Sequence, residues 1–343
     1  MFNRRAFLAS AGAALIGCPA VLRAQTAPNK NLRIVVVANR NHEADGLMAA
    51  LCNQMKHNAS LSYPYKVDWP STPTDKPPHD NREKPRCLVD VKKKASDSNA
   101  SATMEIWCID DLADTKGDSK AKVAAMAAIA GYGPTPAGVV AFGTAGYPSL
   151  ASNDGCATIG GTIFIHDAAK DVPDHQGGSW AWSEKMEKLI PSKTPASFFA
   201  SVAADQLMLD SISVEMIAPQ NRPAAVLQLM IAADAVGISS VNIPYLSGTG
   251  AGAAYCGIDT KAIGLAKAAG ATNISSVETT HGVIRSLWEK DDPPFIYVTA
   301  IPNRVCHFPD EASGIYGQEF PSSHNAGIAL KYVMPSFVSA IAS

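Results

Sequence analysis

The sequence predicts an α/β fold, and three observations predict it. Leu32-Arg33-Ile34-Val35-Val36-Val37-Ala38 is a β-branched, almost continuously apolar run, as a strand covered on both faces must be. Further strand-like runs at 137–142, 162–166, 240–246 and 295–301 alternate with stretches of helical composition at 43–56, 120–129, 197–209, 222–236, 260–269, 278–288 and 326–341. No linker-like segment separates them, so residues 30–343 read as one domain.

The first 24 residues stand apart from that pattern. Asn3-Arg4-Arg5-Ala6-Phe7-Leu8 precedes a short Ala/Gly-rich apolar stretch, Pro19 and a small-residue region ending near Ala24, which reads as a signal peptide. The paired arginines followed by Phe-Leu resemble a twin-arginine export signal, and Leu15-Ile16-Gly17-Cys18 resembles a lipoprotein box in which Cys18 would carry lipid. Export to the periplasm or outer surface is the expectation. Removing residues 1–24 takes away Arg4, Arg5 and Arg23 and no acid, so the mature chain is more acidic than the formal −2 of the whole. Cys52, Cys87, Cys108, Cys156, Cys256 and Cys306 remain, in a compartment that permits disulfides; their pairing is left open.

Between the first strand and the rest lies a polar, Pro-rich segment, an insertion at about 57–100. Near its end, Cys87–Val91 and Ala102–Trp107 alternate like the arms of a hairpin. Ala137–Phe142 then runs into a small-residue turn, Gly143-Thr144-Ala145-Gly146, and residues 170–193 have the makeup of a loop or lid. Glu278 is expected to open a helix reaching Trp288, and Phe295–Ile301 to be the last strand, ending at Pro302-Asn303.

Composition excludes several classes of function. With 47% hydrophobic and 17% charged residues the chain can build a core, and it carries no basic stripe of the kind nucleic acid requires. No stretch after residue 25 approaches the roughly 20 apolar residues of a membrane span. A Gly-x-Ser-x-Gly elbow, a phosphate loop and Cys-x-x-Cys or His-rich metal spacing are all missing, so no metal and no cofactor is expected. Gly248-Thr249-Gly250-Ala251-Gly252-Ala253 lacks the acidic residue that a dinucleotide site needs about 20 positions on. His42, His166 and His324 read as structural residues.

Four segments in order carry more than any one of them. They are the first strand entering a polar turn with Glu43, the strand into Gly143–Gly146 followed by Ile159–Ile165, Val277-Glu278-Thr279-Thr280, and the last strand ending at Asn303. Together they resemble the purine nucleoside phosphorylase and nucleosidase superfamily over most of residues 32–335. The resemblance implies a three-layer α/β/α sandwich with a mixed central sheet, and cleavage of a nucleoside's N-glycosidic bond through an oxocarbenium-like sugar. It also implies a homo-oligomer.

Carried over by position, the resemblance makes Glu43 the activator of water and Asn303 the residue that bonds the base. It gives Glu278 the ribose hydroxyls, with Thr280 as the alternative alignment, and places Gly143, Thr144, Gly146 and Ser247 around the sugar. Nucleosidases of the superfamily have an aspartate where this chain has Asn303, and an amide cannot deliver a proton. For phosphorolysis, Arg40 is the one candidate phosphate ligand in the first turn, with Arg304 more distant. Before Gly143 stands Val-Val-Ala-Phe, without an arginine. Water is therefore the expected nucleophile. A nucleoside phosphorylase and a non-catalytic periplasmic nucleoside-binding protein are the alternatives.

Overall fold

The computed structural model describes residues 31–52, 84–92, 101–115, 118–147, 153–171, 185–218, 226–243, 251–288, 291–311 and 319–342. The leader at 1–24, Ser247, Gly248–Gly250 and most of the 57–100 and 170–193 segments lie outside the described residues.

In chain order the elements are β1 (Leu32–Ala38), α1 (Asn41–Cys52), β2 (Cys87–Lys92), β3 (Ser101–Cys108), α2 (Ile109–Leu112), α3 (Ser119–Ala125), α4 (Ala127–Gly131), β4 (Gly138–Tyr147), β5 (Ala157–Gly160), β6 (Thr162–Asp167) and β7 (Leu189–Ile190). There follow α5 (Ala196–Ala204), α6 (Gln206–Glu215), β8 (Leu229–Ile231), β9 (Ala235–Val241), α7 (Ala251–Ala268), β10 (Asn273–Glu278), α8 (His281–Ser286), β11 (Phe295–Arg304), α9 (Phe308–Glu311) and α10 (Phe320–Ala342).

The strands form one mixed sheet ordered β2-β3-β1-β4-β10-β9-β6-β7, with β11 pairing to β4 and β5, and β8 to β5. β1 is parallel to β3 and β4, whereas β2 with β3 and β11 with β5 are antiparallel. Alternate residues of β1 enter opposite cores. Ile34, Val36 and Ala38 pack with Leu47 of α1, Phe198 of α5 and Phe337 of α10. Val35 and Val37 pack with Met126, Ile129 and with Val283 and Ile284 of α8. Both faces of the sheet are thus covered by helices, giving the expected three layers with a mixed centre. Burying a side chain such as Phe337 contributes roughly 2–3 kcal/mol. Among the described residues, no helix is long and apolar enough to cross a membrane.

Two glycines set the geometry next to the site. A Cβ on Gly46 would stand 2.5 Å from Ser323 Cβ, and one on Gly327 would stand 2.7 Å from Ala50 Cβ. Residues 46 and 50 of α1 therefore meet 323 and 327 of α10 in the same order. The two helices run parallel at close range, with their N-termini side by side.

Several elements differ from the sequence expectation. Gly143–Gly146 is not a turn: β4 continues through it to Tyr147, because Gly146 pairs with Val277 on one side and Asn303 on the other. The expected helix at 222–236 gives way to β8 and the start of β9, where Ala235–Val241 is paired in parallel to both β6 and β10. Pairing on two sides overrides an Ala/Leu composition that favours helix. β9 accordingly begins five residues before the strand expected at 240–246. The helix at 120–129 is two short ones meeting at Met126. Glu278 does not open a helix but closes β10, and α8 begins at His281. Asn303 lies within β11, past a register shift after Ala300, where Pro302 has no N–H to give the ladder.

Candidate active site

The C-terminal half of β4 is the line on which the site is assembled. β1 accompanies β4 only as far as Phe142, opposite Ala38, and the chain then turns through Asn39 and Arg40 into α1. Beyond that point β10 takes over the same neighbourhood in the antiparallel sense, with Val277 opposite Gly146. The ends of β1 and β10 consequently approach one another, Glu43 following the first and Glu278 ending the second. β11 runs along β4 as well and sets Asn303 opposite Gly146.

Glu43, in the first turn of α1, lies against β4. Its Oε2 accepts the backbone N–H groups of Asn39 (3.0 Å) and Arg40 (2.9 Å), and its Oε1 accepts the Thr144 N–H (2.9 Å) and hydroxyl (3.0 Å). A Cβ at residue 143 would come within 2.7 Å of Oε1, so only glycine lets the carboxylate rest on the strand. The turn itself is fixed from α2: Asp110 accepts from the Asn41 N–H and amide (3.2 and 3.0 Å) and from Arg40 Nη1 (3.3 Å). Arg40 is half exposed, and its head is paired with Asp110.

Behind this turn, Arg86 ties three segments together. Its guanidinium forks onto Asp111 and donates to Asp45 Oδ1 at 2.8 Å and to Asn41 Oδ1. Arg86 falls inside the stretch read from sequence as an insertion. That stretch thus supplies both strand β2 and the cation holding α1 to α2.

Glu278 receives the N–H groups of Thr280 and His281 on Oε2 (2.8 Å for His281), which fixes the turn into α8. Its Oε1 is buried and accepts no hydrogen bond. Thr280 stands at the N-cap position of α8 without a side-chain capping bond, and its hydroxyl accepts a 2.8 Å hydrogen bond from Lys122 Nζ. Lys122, on α3, is only 1% exposed. Burial pulls its ammonium down to about 8, opposed most strongly by Glu278 and further by Glu43 and Asp110, while Arg40 adds to the lowering.

Glu319 stands just before α10, with its Oε2 3.4 Å from His42 Nε2. Burial and the neighbouring charge of Glu43 push its carboxyl up to about 7, against the pull of Arg40. Asn303 donates from Nδ2 to the Arg304 carbonyl at 2.7 Å. Arg304 donates to Glu311 Oε1 at 2.8 and 2.6 Å. Among the described residues, no group of three or more His, Cys, Asp or Glu is disposed to hold a metal ion.

Of the residues expected from sequence, Gly143, Thr144 and Gly146 lie on the C-terminal half of β4, Glu43 bonds to it, Glu278 and Thr280 follow Val277 on the side shared by β1 and β10, and Asn303 lies on the other side, on β11, with Arg40 in the turn before α1. Ser247 is not among the described residues. Sequence reading missed Lys122, Asp110, Glu319 and Arg86. Lys122 was hidden in an Ala-rich helix, although a lysine at a helix position otherwise spaced for burial is a signal in itself.

No protein-family model matches the chain, and no curated protein matches it. Solved structures similar to it include three nucleosidases. The 5′-methylthioadenosine/S-adenosylhomocysteine nucleosidase of Helicobacter pylori is 11% identical, over 88% of this chain and 97% of that one, with a TM-score of 0.45. The Streptococcus pyogenes S-adenosylhomocysteine nucleosidase in complex with 5-methylthiotubericidin is 14% identical over 89% and 97%, also at 0.45. The S. pneumoniae 5′-methylthioadenosine/S-adenosylhomocysteine nucleosidase with a transition-state inhibitor is 10% identical over 90% and 99%, at 0.44. At such identities and scores the chemistry of the site has to rest on its own atoms.

Proposed function

We propose that the protein is an exported nucleosidase that hydrolyses the N-glycosidic bond of a purine nucleoside. The observation that supports this reading is that Glu43 bonds to Thr144 while Val277, next to Glu278, and Asn303 both stand opposite Gly146, two residues further along β4. Bond cleavage at an oxocarbenium-like sugar needs a nucleophile delivered by a base on one side and a hold on the sugar and on the departing base. Glu43 is the base. Its four acceptor positions are spent on Asn39, Arg40 and Thr144, and the only rotatable donor among them is the Thr144 hydroxyl. Turning that hydroxyl away opens Oε1 to a water molecule without disturbing the backbone bonds, and the hydroxyl can then accept from the same water.

Glu278 Oε1 is the acceptor available to the sugar, and Asn303 is the amide available to the base. Water is favoured over phosphate because Arg40 is paired with Asp110 and Arg304 with Glu311, which leaves a dianion without two committed cationic partners.

A non-catalytic nucleoside-binding protein is the second reading, and the full set of hydrogen bonds on Glu43 is what favours it. Incubating the mature protein with purine nucleosides, with and without phosphate, separates the readings. Phosphate-independent release of free base supports the hydrolase. Calorimetric binding without release supports the binding protein, and strictly phosphate-dependent release supports a phosphorylase.

Export and assembly belong to the same proposal. The Cys256–Cys306 disulfide, which joins α7 to the segment after β11, accords with an oxidising compartment. Fractionation of cells and sedimentation of the purified protein test location and oligomeric state.

A further inference from the structure

Lys122 is the buried group for which the proposed reaction has so far found no use. Helix α3 presents it firmly: Asp118 caps the helix by accepting the Lys120 and Ala121 N–H groups, and the Ser119 hydroxyl accepts the Asn242 N–H at 2.8 Å. The ammonium has three N–H donors and spends one, on Thr280 Oγ1. A buried ammonium with donors left over is costly unless something completes its shell. Across the β10–α8 turn, Glu278 Oε1 is a buried carboxylate oxygen that accepts no hydrogen bond, with His281 Nδ1, likewise without a hydrogen-bond partner, 3.7 Å away. Of the charged groups acting on Lys122, Glu278 acts most strongly.

Lys122 Nζ and Glu278 are joined through Thr280, which accepts from the first and donates its N–H to the second, so spare donors on one side and a spare acceptor on the other suit a ligand group that both accepts and donates. A phosphate or carboxylate only accepts, and would meet Glu278, Glu43 and Asp110. An amine only donates, and would meet Lys122 and Arg40. A hydroxyl does both. We propose that Lys122 is a substrate-binding residue that, together with Glu278, clamps one sugar hydroxyl of the substrate, the hydroxyl accepting from Lys122 Nζ and donating to Glu278 Oε1. This deepens the nucleosidase reading and rests on it for the identity of the sugar. The clamp makes the site selective for ribosides over the corresponding deoxyribosides.

Calorimetric binding of adenosine, 2′-deoxyadenosine, 3′-deoxyadenosine and D-ribose to wild type and Lys122→Met tests the clamp, with base release followed in parallel. In wild type, removing one of the two hydroxyls is expected to weaken binding at least tenfold. In Lys122→Met the same removal is expected to cost less than threefold. An equal penalty in both proteins overturns the clamp even if base is released, leaving the hydrolase intact. Lys122-dependent binding of ribosides without base release overturns the hydrolase and leaves the clamp. Failure of wild type to bind either adenosine or D-ribose overturns both. Should Lys122→Met not fold, the side-chain 15N resonance of Lys122 in wild type decides. It must shift with adenosine and stay unmoved by one of the deoxy analogues, and an identical response to all three overturns the clamp.

Discussion

Thr144 gives both of its donors to one oxygen of Glu43, the backbone N–H at 2.9 Å and the hydroxyl at 3.0 Å. The backbone bond fixes the carboxylate on β4, whereas the hydroxyl bond is the one that rotation can release. Thr144→Val keeps the first and removes the second. It is expected to lower kcat by about 10- to 100-fold with little change in nucleoside affinity, as loss of a single polar contact to the reacting group does. Glu43→Gln is expected to abolish turnover and also to lower stability by about 1–3 kcal/mol, because the amide must turn its NH2 toward an N–H donor. Steady-state kinetics and thermal unfolding of the two variants check both statements.

Glu319 makes stability depend on pH in a stated direction. Its folded-state pKa, about 7, lies above the ordinary carboxylate value of 4.5. Between those values the folded protein keeps a proton that the unfolded chain has lost. Stability is therefore greatest, as far as this group goes, below about pH 4.5 and declines as pH rises toward 7. Glu319→Gln, which cannot ionise, is expected to be near neutral at pH 4.5 and to gain on the order of 2 kcal/mol over wild type at pH 8. Denaturant unfolding at the two pH values measures the difference, and a gain that does not depend on pH contradicts it.

Arg86 sits among Asp45, Asp111 and Asn41, and burial pushes the Asp45 carboxyl up even with the arginine present. Removing the cation leaves two buried carboxylates unpaired. Arg86→Met is expected to cost about 3–5 kcal/mol and to loosen the Asn39–Glu43 turn, so that activity falls together with stability. Hydrogen exchange of the Asn41 amide, which now bonds to Asp110, reads the local effect directly.

The Cys256–Cys306 bridge closes a separation of 50 residues. Chain entropy puts the effect of its reduction at about 2–4 kcal/mol. Among the described residues Cys87, Cys108 and Cys156 are free and buried, so opening this bridge is expected to appear as one stability step. Calorimetry with and without a thiol reductant checks the size of that step.

Much of the fold was legible because its signals are local. The run at 32–38 is so uniformly β-branched that only a strand covered on both faces accommodates it, and β1 has those bounds. The hairpin of β2 and β3 followed from alternation in the same way. What failed depended on distant partners. Gly143–Gly146 looked like a turn because glycines mark turns, but here they let β4 be approached closely, by Glu43 at one end and by Val305 at the other. Glu278 reads as a helix opener from its neighbours in sequence and becomes a strand end only because β9 is there to pair with β10.

At the site, Glu43 and Glu278 were found because a carboxylate beside a strand end is conspicuous, whereas Asp110 and Glu319 carry no such mark. Lys122 and Arg86 were not, since a lone cation in an Ala-rich or Pro-rich stretch acquires meaning only from what surrounds it in space. Thr280, the alternative to Glu278, accepts from Lys122 and gives its backbone N–H to Glu278, so both alignments fall in one cluster.

In the proposed reaction, water attacks the sugar carbon under the control of Glu43. Base release from a purine nucleoside in 18O-labelled water, followed by mass spectrometry of the sugar, tests it most directly. One 18O atom in free ribose, formed at a rate indifferent to phosphate and lost in Glu43→Gln, is the predicted result. A sugar phosphate as product, or no released sugar from a nucleoside that binds, would contradict it.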